Sequence, residues 1–181
     1  ASQAGLIAVA AGVAVVAAIG SVCNLETDLL WPNDILHHQK KLGGILIEAA
    51  IRGDEIEHAV VGLGLNVNAV LSDFPAGLCE RVTTLREILG HEVSRQAVLA
   101  EFFRAFENRL QVLAEGSAGT LLEEWREHAA FIGDEVLVVL SDGKEIQGVA
   151  QEILNDGRLK LKARTGDLVL DTGDFVYLKA I

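Results

Sequence analysis

The period of the apolar positions shifts along the chain, and each shift marks a new kind of element. A nearly unbroken run, "GLIAVAAGVAVVAAIG", predicts a helix over roughly Gln3 to Ile19, apolar all round and therefore buried. A polar linker follows, and then Leu29 and Leu30 lead into Trp31-Pro32. Proline favours an extended Trp31, and Asn33-Asp34 are turn formers whose side chains bond to their own backbone. Next, "GGILIEAAI" and "EIEHAVVGLGLNVN" flank "RGD", which predicts a β-hairpin with its turn near Gly53-Asp54.

Helical spacing then returns. "TTLREILG" carries a capping box, Thr84 with Glu87, and a stop at Gly90. From Ser94 to about Glu115, Val98, Leu99, Phe102, Phe103, Phe106, Leu110 and Leu113 predict one apolar helix face, read as core. After "GSAG", Thr120 and Glu123 suggest a second capping box for a short helix containing Trp125. From about Phe131 the texture is "EVLVVL", "EIQGVAQEI", "RLKLKA", "DLVL" and "FVYL", parted by "SDGK", "NDGR", "RTGD" and "DTGD". Short, evenly spaced strands with Asp-Gly-type turns predict a small barrel. The expectation is an α+β protein, with a mixed sheet and packed helices over 1–129 and an all-β appendage over 130–181.

Composition narrows the function classes. A chain of 181 residues, 50% apolar and 23% charged, has the make-up of a soluble globular protein. A net charge of −11 and the lack of any cluster of basic residues argue against nucleic acid as a partner of this segment. The apolar run falls short of the roughly 20 residues that span a bilayer and lacks a basic leader, so no membrane role is expected. Cys23 and Cys79 match no metal or redox spacing, which suggests a reducing, cytoplasmic setting. Adjacent His37 and His38 would face opposite ways on a strand and are read as a solvated loop. "RGD" is read as the hairpin turn. With no methionine and a core helix as its first element, the sequence is expected to continue upstream.

Candidate chemistry gathers in "WPNDILHHQKKLGG" and "GLGLNVN". Asp34 could hold Mg²⁺, which needs only one or two carboxylates beside phosphate oxygens. Lys40 and Lys41 could serve a phosphate, or simply guard a strand edge. Gly43 and Gly44 allow close approach to the backbone. Gly62 and Gly64 alternate on one strand face, where a flat ring could lie, and Asn66 could read that ring's edge. The spacing is not that of a dinucleotide fingerprint. These residues describe a nucleotide pocket, while "WPND" alone is equally a rigid turn.

"WPND", then "KKLGGILIE", then "VVGLGLNVN", in that order and spacing, resemble the catalytic core of biotin protein ligases, which also occur as biotin–acetyl-CoA-carboxylase ligases. "WREHAAFIGDEV" and the strands after it resemble that family's C-terminal Src-homology-type barrel. The resemblance implies the class II synthetase-like fold of these ligases. It also implies a reaction in which biotin and MgATP form biotinyl-5′-adenylate, which then biotinylates a lysine of a biotin carboxyl carrier protein. On that resemblance Lys41 is the catalytic lysine, and it touches biotin together with Gly43, Gly44 and Ile45, near Leu42. Trp31, Asn33, Asp34, Gly64 and Asn66 would serve ATP or the adenylate, and Asp34 the Mg²⁺. Some members pair as homodimers through a sheet edge, and some carry a DNA-binding domain. Two departures stand out: the family's glycine- and arginine-rich loop is not in this sequence, and Leu30 stands where the family usually has lysine. The rival readings are a lipoate-type ligase and a non-catalytic adenylate-binding or assembly module.

Overall fold

The computed structural model describes residues 3–53, 55–171 and 173–177. Helix α1 (Gln3–Cys23) runs through the centre, with Val9 to Ile19 almost wholly buried. It is long and apolar enough to cross a membrane, but here it packs on the later helices and the first sheet. Alanine-rich sequence favours the helix, and small side chains let neighbours come close. At Gly12 a Cβ would lie 3.2 Å from Trp125 Nε1.

The first sheet is an antiparallel meander of β1 (Asp28–Leu30), β2 (Asp34–His37), β3 (Lys40–Arg52) and β4 (Glu55–Leu65). Among the described residues, parallel pairing is confined to one isolated bridge, Lys41 with Val82. The long hairpin forms as expected; Gly53 has φ 64°, and Asp54 lies outside the described residues. His38 and Gln39 form the β2–β3 turn with φ of 47° and 64°. Two left-handed residues give the twist that a two-residue hairpin needs.

Thr84 caps α2 (Leu85–Leu89) by accepting from Glu87 N, and Gly90 ends it at φ 74°. Ser94 caps α3 (Arg95–Ala114). The single apolar face expected of α3 is two faces. Val98, Phe102 and Ala105 are buried, whereas Leu99 is 50% and Phe103 60% exposed. Both stripes have helical spacing, but α3 packs mainly against α1, which covers only one of them. Helix α4 (Ala118–Glu127) starts earlier than Thr120, and the expected capping box at Thr120 does not form. Gly116, at φ 77°, reverses the chain, so Ser117 becomes the N-cap and Thr120 N bonds to Ser117 O.

The C-terminal strands are β5 (Glu135–Val139), β6 (Glu145–Ile153), β7 (Leu159–Ala163), β8 (Gly166–Leu170) and β9 (Asp174–Tyr177), in the order β8-β7-β6-β5-β9, all antiparallel. The expectation of a closed barrel extends to residues 178–181, outside the described ones. Among the described residues, Arg126, which donates twice to Ile153 O, and Trp31, whose Nε1 donates to Gly157 O, tie this sheet to the rest. Phe131, fully buried, packs edge-on against Trp125 with centroids 6.0 Å apart and continues the core between them.

Candidate active site

The segment Trp31-Pro32-Asn33 turns the chain from β1 into β2, with Leu30 facing Asp34 as the last ladder pair and a cis Trp31-Pro32 peptide. Asn33 fixes the turn onto β3: its Nδ2 donates to Ile45 O (2.6 Å), and Ile45 N donates to Asn33 O (2.8 Å). Asp34 is thereby set directly across from Gly44, and Gly44 across from Gly64.

Lys41 reaches this row through a bulge. Ile35 pairs with Gly43 but Leu36 with Lys41, which leaves Leu42 as an extra residue. Strict alternation would put Lys41 on the side of Gly43 and Ile45. The extra residue reverses it, as bulges do. Lys41 therefore emerges beside Gly44, with its Nζ 2.6 Å from Asp34 Oδ1. The lysine side chain is 49% exposed and the carboxylate 24%, so the pair is reachable from solvent.

The adjacent glycines have different surroundings. A Cβ on Gly43 would strike Gly64 O at 2.5 Å and meet Leu65 and Ile35, so this glycine serves the packing of the strands. A Cβ on Gly44 would meet Asp34 Oδ1 at 3.2 Å and Lys41 Cε at 3.6 Å. Gly44, Gly64 and Gly62 form a shelf without side chains beside the ion pair, edged by exposed Leu46, which faces Gly62. Ile45 and Trp31 are buried, at 4% and 3% exposure. Leu30 is also in the core, so this position adds packing and no cation.

Asn66 sits at the end of β4, its N–H on Leu42 O and its Nδ2 on Thr83 O (3.1 Å). Its Oδ1 and second Nδ2 hydrogen are what it can offer a ligand. Asn68 instead exchanges two bonds with Val93 and is structural. The sequence reading missed the strap Arg81–Thr83, where Lys41 N donates to Arg81 O and Thr83 N to Lys41 O. The only hint was an unusual pair of threonines, both buried, just before α2. His37 meets Glu26 O through Nδ1, and its ring lies tilted against that of His38 at the hairpin end. Among the described residues no group of three or more His, Cys, Asp or Glu gathers to cage a metal. Burial pushes the Cys23 thiol up, which disfavours its thiolate.

Residues 3–66, which carry the ion pair and the glycine shelf, match the biotin/lipoate A/B protein ligase family. The match covers this N-terminal segment, about a third of the chain. It is similar to the bifunctional ligase/repressor BirA of Bacillus spizizenii, 32% identical over 156 residues, covering 86% of this chain and 48% of that protein. It is equally similar to the biotin–[acetyl-CoA-carboxylase] ligase of Mycobacterium tuberculosis, 32% identical over 178 residues, covering 97% of this chain and 63% of that one. The chain thus spans about half to under two thirds of the length of these relatives. In fold it matches the biotin protein ligase of Aquifex aeolicus, with TM-score 0.83 and 24% identity over 98% of this chain and 76% of that one. That protein has also been solved in complex with biotin and ATP.

Proposed function

We propose that this chain is part of an AMP-forming ligase that couples biotin to a lysine of a biotin carboxyl carrier protein through biotinyl-5′-adenylate. The observation that carries the reading is the Asp34–Lys41 pair standing at the end of the Gly44–Gly64–Gly62 shelf. Its relatives' names, and the Aquifex aeolicus complex with biotin and ATP, support the same chemistry.

Both substrates bring negative charge, a carboxylate and a triphosphate. Lys41 has three N–H donors; Asp34 takes one and aims the ammonium across Gly44, leaving two for substrate oxygens. When the biotin carboxylate attacks the α-phosphate, negative charge grows on the phosphoryl oxygens, and a cation already in place stabilises it. The same ammonium can steady the charge that develops when the carrier lysine attacks the mixed anhydride and AMP leaves. The glycine shelf admits a flat ring against backbone, and Asn66 stands at its end to read a base edge. One carboxylate, with one oxygen already on Lys41, fits a magnesium ion that arrives with the nucleotide and is held mostly by phosphates. Bound there beside Asp34, Mg²⁺ would supply further neutralisation of phosphate charge.

The test is to incubate the protein with biotin, MgATP and a biotin-carrier domain, then probe the carrier with streptavidin. Labelled carrier is the expected result, with lipoate failing to compete for the site. Competition by lipoate would favour the lipoate-type member of the same family. Bound adenylate with an unlabelled carrier would make this chain a binding module.

A further inference from the structure

Among the described residues, the C-terminal sheet meets the turn before Asp34 through a hydrogen bond. Trp31 donates its indole N–H to Gly157 O at 3.0 Å, across 126 residues of sequence. Gly157 lies in the β6–β7 turn at φ 82°, and that turn is stiff. Arg158 bonds to Asp156 through backbone and side chain, Gly157 N bonds to Leu154 O, and the preceding residue Ile153 is held by Arg126 of α4. The acceptor is therefore fixed from both sides. Around the indole the packing is incomplete: Trp31, Pro32, Trp125, Ile153, Gly157 and Asp171 line a cavity of about 110 Å³. The ring is buried but has open space on one side, where the hydrogen bond adds direction that packing does not supply.

We infer that Trp31 is a positioning residue through which the β6–β7 turn holds the Asp34–Lys41 pair in its working geometry. The turn Trp31–Asn33 has two anchors, Gly157 at one end and the paired bonds of Asn33 to Ile45 at the other. Asp34 follows directly. If the first anchor is released, the flanking ladder pairs and the bonds of Asn33 hold the turn without it, and the bonds to Ile45 open more often. This rests on the ligase reading for its effect on catalysis, though not for its effect on the turn.

The test compares Trp31→Phe, which keeps the ring and deletes the donor, with Gly157→Ala, which disturbs the acceptor from the other side. Gly157→Ala tolerates its Cβ, 3.4 Å from Gly5 O, but strains the left-handed backbone. Leu161→Val, a core change in β7, serves as a control of matched stability loss. Two readouts are taken: amide hydrogen exchange at Ile45, and kcat for biotin-dependent ATP–pyrophosphate exchange. Both test variants should speed Ile45 exchange about five- to tenfold, the equivalent of one ordinary hydrogen bond. Both should lower kcat with little change in KM for ATP, and the double variant should be no worse than either alone. Leu161→Val should do neither. Unchanged Ile45 exchange in Gly157→Ala overturns the inference whatever the activity does, as does equal exchange in Leu161→Val. Were Trp31 in contact with the nucleotide instead, Trp31→Phe alone would change KM, and that too overturns it. If the unsubstituted protein lacks exchange activity, the ligase reading fails while Ile45 still decides the coupling.

Discussion

Replacing each of the adjacent glycines with alanine should produce opposite defects. At Gly43 the new methyl would sit 2.5 Å from the carbonyl oxygen of Gly64 on the paired strand. A backbone atom in a ladder cannot step aside, so β3 and β4 must part by most of an ångström. Overpacking of this kind costs about 1–3 kcal/mol, offset by the roughly 0.4–1 kcal/mol that alanine gains by restricting the unfolded chain. At about 2–4 °C per kcal/mol for a chain of this size, the midpoint should fall by up to roughly 10 °C. At Gly44 the nearest atom is Asp34 Oδ1 at 3.2 Å, the end of a side chain that can rotate by a few tenths of an ångström. Stability should then hold within about 1 kcal/mol. The cost falls on the 2.6 Å contact with Lys41 and on the shelf that the methyl now occupies. Misplacing a reacting group by about 1 Å can cost 10²-fold, so a shift of a few tenths of an ångström together with the filled shelf should lower turnover by up to that order. Thermal unfolding followed by circular dichroism, together with biotin-dependent ATP–pyrophosphate exchange, separates the two. A Gly44→Ala protein that melts lower than Gly43→Ala, or turns over normally, would refute the assignment of the shelf.

Lys41→Ala should lower kcat by roughly 10²–10³-fold, the usual loss for one preorganised charge-stabilising donor, and weaken biotin binding far less; unchanged turnover by the same assay would end the case for Lys41. Its thermal midpoint should barely move, because a half-exposed ion pair is worth about 0–1 kcal/mol. Phe131→Ala should cost about 3–5 kcal/mol, since the ring is fully buried on Trp125 between α4 and the second sheet; denaturant melts showing less than about 1 kcal/mol would mean that the two sheets do not share a core. At Asp156, the hydrogen bond from Arg158 holds the carboxyl below its ordinary value of 3.8. The folded state thus binds that proton less readily, and the stabilisation is present above this value and lost as pH falls through the lower folded one. The gap in denaturant midpoint between Asp156→Asn and the unsubstituted protein should therefore exist near pH 6 and shrink as pH falls below 3.8.

Much of this was legible in the sequence because local rules agreed with the global fold. The buried helix, the long hairpin, the Thr84 cap with its Gly90 stop and the five C-terminal strands all announce themselves by period and turn chemistry. The doubled stripe of α3 was not legible, because periodicity states that a face is apolar and not whether anything lies against it. The His38-Gln39 turn was missed for a different reason: neither residue is the Gly or Asn that signals a left-handed pair, and pairing of β2 with β3 imposes the conformation. The hardest feature to read was the one that makes the site. On a regular strand, Lys41 and Gly44, three apart, would point to opposite faces, and a lysine beside Asp34 would not follow from "KKLGG". Only the register against β2, with Leu42 as the extra residue, brings the ammonium round to the carboxylate. Leu42 is fully buried, so the core that takes up its side chain also stabilises the bulge. The apolar residue between the lysine and the glycines is therefore as necessary to the site as the charges, although it can touch no substrate. Replacing it with a polar residue should dissolve the ion pair while every charged residue remains.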